Sequence, residues 1–96
     1  MKFYFDDPDY DGQYARTLGK TAYGCAEVGE CVAVADQITP VSDVAWYAAW
    51  SAMAQRLESE ADHAAGKRHS ATASEKYLRA AEYYWRRLLL TRGVTT

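Results

Sequence analysis

Three aspartates near the start of the chain stand in a pattern that could hold a metal ion. Asp7-Pro8-Asp9-Tyr10-Asp11-Gly12 matches the D-x-D-x-D-G opening of a calcium loop, where alternate carboxylates converge on one cation. The twelfth loop position requires a bidentate glutamate and is Leu18 here, and six residues before Asp7 leave no room for an incoming helix. The expectation is an acidic turn at the positive end of a helix, without a metal. Glu60 and His63 form one E-x-x-H step, which puts both side chains on one helical face. A di-iron bundle needs two such steps and two further glutamates, and no second step exists, so this face is read as solvated.

Arg56 and His63 lie seven apart, a spacing similar to the R-x(4–6)-H signature of small HEPN-type helical ribonucleases. Any arginine two turns before a histidine satisfies it, and two solvent-facing side chains are the plainer reading. Nucleophilic hydrolysis needs an activated serine or cysteine with a histidine partner. No glycine here is followed two positions later by serine, so the G-x-S-x-G elbow is missing, and neither His63 nor His69 has an evident nucleophile and orienting acid. Cys25 and Cys31 are six apart and diverge by about 120° on a single helix; two buried, reduced thiols are expected. Trp46, Trp50, Met53 and Trp85 could line a ligand pocket, but aromatics at helical spacing read first as core.

The elements that must carry these residues are helical. Residues 1–11 read as an extended lead-in and residues 12–96 as helical. Tyr10, Tyr14, Leu18 and Ala22 recur every four residues, predicting a short helix broken near Gly19 or Gly24. Cys25, Val28, Val32 and Ala35 predict a second short helix ending before Thr39-Pro40. Trp46, Trp50, Met53, Leu57, Ala61 and Ala64 form one stripe of a long third helix, capped by Thr39 or Ser42 and ended near Gly66. Thr72-Ala73-Ser74-Glu75 reads as the capping box of a fourth helix with Tyr77, Ala80, Tyr84 and Leu88 inward and Arg86, Arg87 and Arg92 near its negative end. The predicted fold is all-α: two long antiparallel helices preceded by two short ones in a small bundle, all within one domain spanning 1–96.

Composition agrees with a folded domain. Of 96 residues, 49% are apolar and 25% charged, which excludes a disordered low-hydrophobicity chain. A net charge of −2 argues against a dedicated nucleic-acid binder. Residues 1–48 carry 3 basic and 8 acidic side chains, and residues 49–96 carry 8 and 5, a bias suited to antiparallel packing within the chain or between copies. No apolar run is long enough for a membrane span and no signal peptide is evident, so the expected location is cytoplasmic.

Several segments together resemble a known family. Arg16-Thr17-Leu18-Gly19, Ala22-Tyr23-Gly24-Cys25-Ala26-Glu27-Val28-Gly29-Glu30, Trp46-Tyr47-Ala48-Ala49-Trp50, Ala54-Gln55-Arg56 and Tyr77-Leu78-Arg79-Ala80-Ala81-Glu82-Tyr83-Tyr84 are similar, in order and spacing, to the helical N-terminal segment of certain α/β-hydrolases. The group comprises 2,6-dihydroxypseudooxynicotine hydrolase and relatives of the fermentation–respiration switch esterase. Cys25 stands where that family tends to have glycine, Trp85 where it has arginine, and the loop at 67–71 is about two residues longer. The catalytic α/β domain of the family, with its nucleophile elbow, acid and histidine, is absent from these 96 residues.

The resemblance implies a non-catalytic cap that covers a substrate cleft and contributes dimer contacts. A stand-alone interaction module and a small ribonuclease are the alternatives. No cofactor, metal, nucleic-acid or membrane partner is expected; the expected partner is a second copy or an α/β-hydrolase catalytic domain. Neighbouring positions on a helix differ by about 100°, so not all of Trp46, Tyr47, Trp50, Tyr77, Tyr83, Tyr84 and Trp85 can face one seam. Tyr47, Tyr83 and Trp85 are expected to face outward as a partner or substrate surface, with Trp46, Trp50, Tyr77 and Tyr84 in the core.

Overall fold

Ser42 opens the longest element of the computed structural model, which describes residues 2–88. Its backbone is extended and its hydroxyl accepts the Ala45 N–H at 3.0 Å, satisfying a donor that has no carbonyl partner in a first helical turn. Among the described residues four α-helices follow one another: α1 (Pro8–Gly19), α2 (Val28–Asp36), α3 (Asp43–Gly66) and α4 (Ser70–Arg87). A single 3₁₀ turn, Lys20–Tyr23, extends α1. No strand occurs among the described residues. α3 and α4 form a hairpin with the largest interface, and α1 and α2 pack across it.

Every member of the predicted α3 stripe, from Trp46 to Ala64, is buried. An aromatic chain organises the core. Phe5 meets Trp46 at 6.0 Å between ring centroids, Trp46 meets Trp50 at 5.6 Å, and Trp50 meets Tyr83 of α4 at 5.4 Å. Tilted and edge-on arrangements of this kind suit the ring quadrupole.

The starts of α1 and α4 differ from the expectation. α1 begins at Pro8, four residues early, because Asp7 caps it by accepting the Asp9 N–H and Pro8 fits a first turn where no amide donor is needed. Its continuation stops at Gly24, whose φ of 75° reverses the chain at low cost only for glycine. α4 begins at Ser70 rather than at a Thr72 cap. The reason lies at the end of α3, where His69 N–H bonds to Ala64 O at 2.8 Å and Arg68 N–H to Ala65 O at 3.0 Å. This pair of bonds is a Schellman closure with Arg68 at φ 64°, and it delivers the chain directly into the next helix. Thr72 and Glu75 are then already helical and exposed.

The buried faces of α2 and α4 also differ from the expectation. α2 buries Cys31, Val34 and Ala35, with Ile38 just beyond, while Val28 and Val32 are exposed. α4 buries Ala73, Ala80, Glu82, Tyr83 and Arg86; Tyr77 and Leu88 are exposed and Tyr84 is half-buried. Arg92 and Gly93, read as the end of α4, lie outside the described residues.

Candidate functional site

The acidic turn is a structural clamp. Asp11 is buried, and its carboxylate accepts three backbone N–H groups, from Phe3 at 2.8 Å, Tyr4 at 2.7 Å and Phe5 at 2.9 Å. Burial alone would raise its pKa, but these three donors outweigh burial and hold it below the usual aspartate value. The clamp ties residues 3–5 to α1 and seats Phe5 in the core. Asp7 serves the α1 cap, and Asp9 is exposed. Among the described residues no group of three or more His, Cys, Asp or Glu side chains could hold a metal.

Glu60 and His63 share a hollow of about 580 Å³ with Lys67, His69 and Lys76. Glu60 is already engaged, accepting from Lys76 Nζ at 2.8 Å and facing Arg56 Nε at 3.3 Å, and the Lys76 bond chiefly lowers its pKa. Arg56 lines a different hollow, between α2 and α3, so the two residues of the ribonuclease-like spacing do not converge on one cavity. Cys31 is fully buried, and burial pushes its thiol up to about 11; Cys25 is half-buried, against the expectation of two buried thiols.

Of the three aromatics expected outward, Trp85 is 57% exposed, Tyr47 is half-buried and Tyr83 is wholly buried. Tyr83 turns inward because its hydroxyl completes a polar cluster. It donates to Glu30 Oε1 at 2.8 Å and accepts the Glu27 N–H at 3.0 Å. Arg79 grips Glu30 through both carboxylate oxygens, at 2.8 and 3.1 Å. Desolvation is the main reason the Tyr83 hydroxyl resists ionisation. Tyr47 is covered on one side by Arg87, whose guanidinium also lies over Tyr84, at 5.0 and 4.8 Å from the ring centroids.

A second buried cluster was not anticipated. Glu82 accepts from Lys20 at 2.9 Å, Thr17 at 3.0 Å and Arg86 at 3.0 Å, and Arg86 donates onward to Gln13 at 2.5 Å. Burial opposes the charge on Glu82, but the three donors prevail and its pKa is lowered. Arg86 O also accepts the Trp46 indole N–H at 2.9 Å, tying the cluster to the core. The only trace of it in the sequence was Glu82 and Arg86 at i,i+4, which alone suggests a solvated pair.

Two surface features remain. Trp85 stands between hollows lined by Arg16, Lys20 and Arg86 on one side and by Leu78 and Ala81 on the other. Across the molecule's α2–α3 groove, Ala33, Ala45, Ala48, Ala52 and Met53 line a hollow of about 400 Å³. Val28, Val32, Val41 and Val44 are exposed as well. From Val44 to Ala54 α3 carries no charge, and apart from the buried Ser51 this stretch is apolar or aromatic on every side.

This is an all-α bundle with structural charge clusters, two open surfaces and no nucleophile–histidine–acid array among the described residues. It is similar to part of much longer proteins named as hydrolases. It is 39% identical over 84 residues to the hydrolase acrC of Aspergillus aculeatus, a match covering 88% of this chain and 19% of that protein. The alpha/beta hydrolase xenA of Xenoacremonium sinensis is 35% identical over 75 residues, covering 78% and 18%. A 20-hydroxy-prefusarin hydrolase of Gibberella moniliformis is 35% identical over 77 residues, covering 80% and 18%. The chain spans about a fifth of the length of the curated relatives it matches. No protein-family profile matches it. No solved structure matches it. No helix among the described residues is long and apolar enough to cross a membrane.

Proposed function

We propose that this chain is a non-catalytic, cap-like helical module of an α/β-hydrolase, corresponding to the N-terminal segment that covers the substrate cleft. The observation that carries the reading is the first half of α3. A helix that is apolar all round belongs inside a larger assembly, because exposed apolar surface of this extent marks an interface. Here Trp46, Trp50 and Met53 face the core, while Val44 and Ala48 remain exposed. The similarity to a fifth of several hydrolases supports a catalytic α/β domain as the occupant. The module's part in turnover is to exclude water and position substrate, with Trp85 and the partly covered Tyr47 as candidate substrate- or partner-facing residues. The buried Tyr83 has no such part.

The test is co-expression with the acrC hydrolase from which the matching stretch has been deleted. Co-purification, lost in Ala48→Glu but kept in Glu75→Ala, is the expected result. Failure to associate, with Ala48→Glu indistinguishable from the parent, would remove the reading. Self-association through the same groove is a second reading. Ala45, Ala48, Ala49 and Ala52 are spaced symmetrically, so two antiparallel α3 helices could place Ala45 opposite Ala52 and Ala48 opposite Ala49. Sedimentation of the chain alone, with and without Ala48→Glu, separates the two.

A further inference from the structure

Trp85 is the most exposed tryptophan of the chain, at 57%, whereas Trp46 and Trp50 are wholly buried. It lies at the junction of two hollows of opposite character. In the first, about 520 Å³ in volume, it meets Gln13, Arg16, Lys20 and Arg86. In the second, about 300 Å³, it shares the ion-paired Lys20 and Glu82 with the small and apolar side chains of Cys25, Leu78 and Ala81.

The charges of the first hollow do not cancel. Among the described residues Glu82 is the single carboxylate bonded to its cations, accepting from Lys20 through one oxygen and from Arg86 through the other. Arg16 is exposed and pairs with no acidic side chain among the described residues. Arg86 is 3% exposed, and its Nε has no hydrogen-bond partner, although its two terminal nitrogens are bonded to Gln13 and Glu82. The net positive charge lining this hollow favours an incoming acceptor with negative charge. The indole beside it offers a flat apolar face, and the Leu78–Ala81 side extends that face.

We propose that this junction binds a small carboxylic acid bearing an aromatic ring. The carboxylate sits among Arg16, Lys20 and Arg86, and the ring lies against Trp85 toward Leu78 and Ala81. The site is complete within this chain and does not depend on a catalytic domain.

Calorimetry and two-dimensional NMR of the full chain with 3-phenylpropionate test it, with 3-phenylpropionamide and acetate as comparisons. The expected result is saturable binding of the acid, with both comparisons at least about tenfold weaker, since one lacks the charge-assisted bonds and the other the ring. The Trp85 indole N–H, assigned by its loss in Trp85→Phe, should move while those of Trp46 and Trp50 stay. Arg16→Gln, which leaves every described contact of the fold intact, should raise Kd about threefold to tenfold with an unchanged melting temperature. Trp85→Ala should cost at least about tenfold and Trp85→Phe less. Equal binding of acid and amide, equal binding of acetate, no effect of Arg16→Gln, or shifts centred on the α2–α3 groove would each overturn the assignment.

Discussion

Replacing Asp11 tests whether the N-terminal strap is held by one carboxylate. In Asp11→Asn the Oδ1 position still accepts from Tyr4 and Phe5, but the new amide group faces the Phe3 N–H that Oδ2 accepted, donor against donor. Bonds to a charged acceptor are about twice as strong as neutral ones, and a net bond is worth about 1 kcal/mol. The Phe5 bond is buried, while those to Phe3 and Tyr4 are only partly so, which limits the loss to about 2 kcal/mol. For a domain of this size that corresponds to a fall of roughly 8–16 °C in melting temperature. Asp11→Ala removes both acceptor oxygens, and with them all three bonds, and should cost about 4 kcal/mol, because Phe5, 3% exposed, then loses its anchor in the core. Phe5→Ala alone should cost about 3 kcal/mol.

If the carboxylate acts by seating Phe5, the two alanine substitutions must be strongly non-additive, with the double variant close to Asp11→Ala. The acid limb adds a second readout. The Asp11 pKa is lowered in the folded state, so its stabilisation is complete above the ordinary aspartate value of about 3.9 and fades as pH falls through the lower folded value. Asp11→Asn should therefore flatten stability against pH below about 4. Thermal melts by circular dichroism from pH 2 to 7 measure both. A shift under about 2 °C at neutral pH, where roughly 8 °C is the least expected, or an additive cycle, would refute the clamp.

Removing one partner of the Glu30–Arg79 pair should be costly because the other charge stays largely buried; Glu30→Gln should lower unfolding free energy in urea by about 3 kcal/mol, and Tyr83→Phe by about 1–2. Arg68→Gly should raise the melting temperature by a few degrees, about 0.5–1 kcal/mol, since glycine relieves the left-handed strain at the α3–α4 turn; a decrease would show that the arginine side chain outweighs it. A thiol reagent at pH 8 should modify only Cys25 in the folded protein and both cysteines in denaturant, because Cys31 is inaccessible and its thiol is pushed up to about 11.

α3 was legible residue by residue. Its stripe of Trp46, Trp50, Met53, Leu57, Ala61 and Ala64 contrasts with charged neighbours further along, and a 3.6-residue period with one apolar face leaves a helix only one way to turn. The all-α class and the helical hairpin followed from the same local signal, as did a break of the first helix near Gly19 or Gly24. α2 failed for the complementary reason. Val28, Cys31, Val32, Val34 and Ala35 are apolar on all sides, so periodicity could not choose between a face bearing Val28 and Val32 and the one that tertiary contact selects.

α4 shows what only the assembled chain could decide. Periodicity placed Tyr77, Ala80, Tyr84 and Leu88 inward and set Arg86 near the negative helix end, whereas Ala80, Glu82, Tyr83 and Arg86 are the side chains buried there. The face that turned in is the one whose charges find partners: Arg79 on Glu30 from α2, and Glu82 and Arg86 on Thr17, Lys20 and Gln13 from α1 and its extension. Tyr83 follows them inward because its hydroxyl bonds both Glu30 and the Glu27 amide. Burying an unpaired charge costs several kcal/mol, roughly the gain from burying a leucine or more, so the rotation of an amphipathic helix is set by whichever charges are matched from elsewhere. Those partners lie 49 to 73 residues away in sequence, beyond the reach of any local pattern. The clamp at Asp11 is closed by partners only 6 to 8 residues away, but it too was hidden, because a carboxylate that looks like a metal ligand in a row of aspartates becomes an anchor only once three backbone amides fold back onto it.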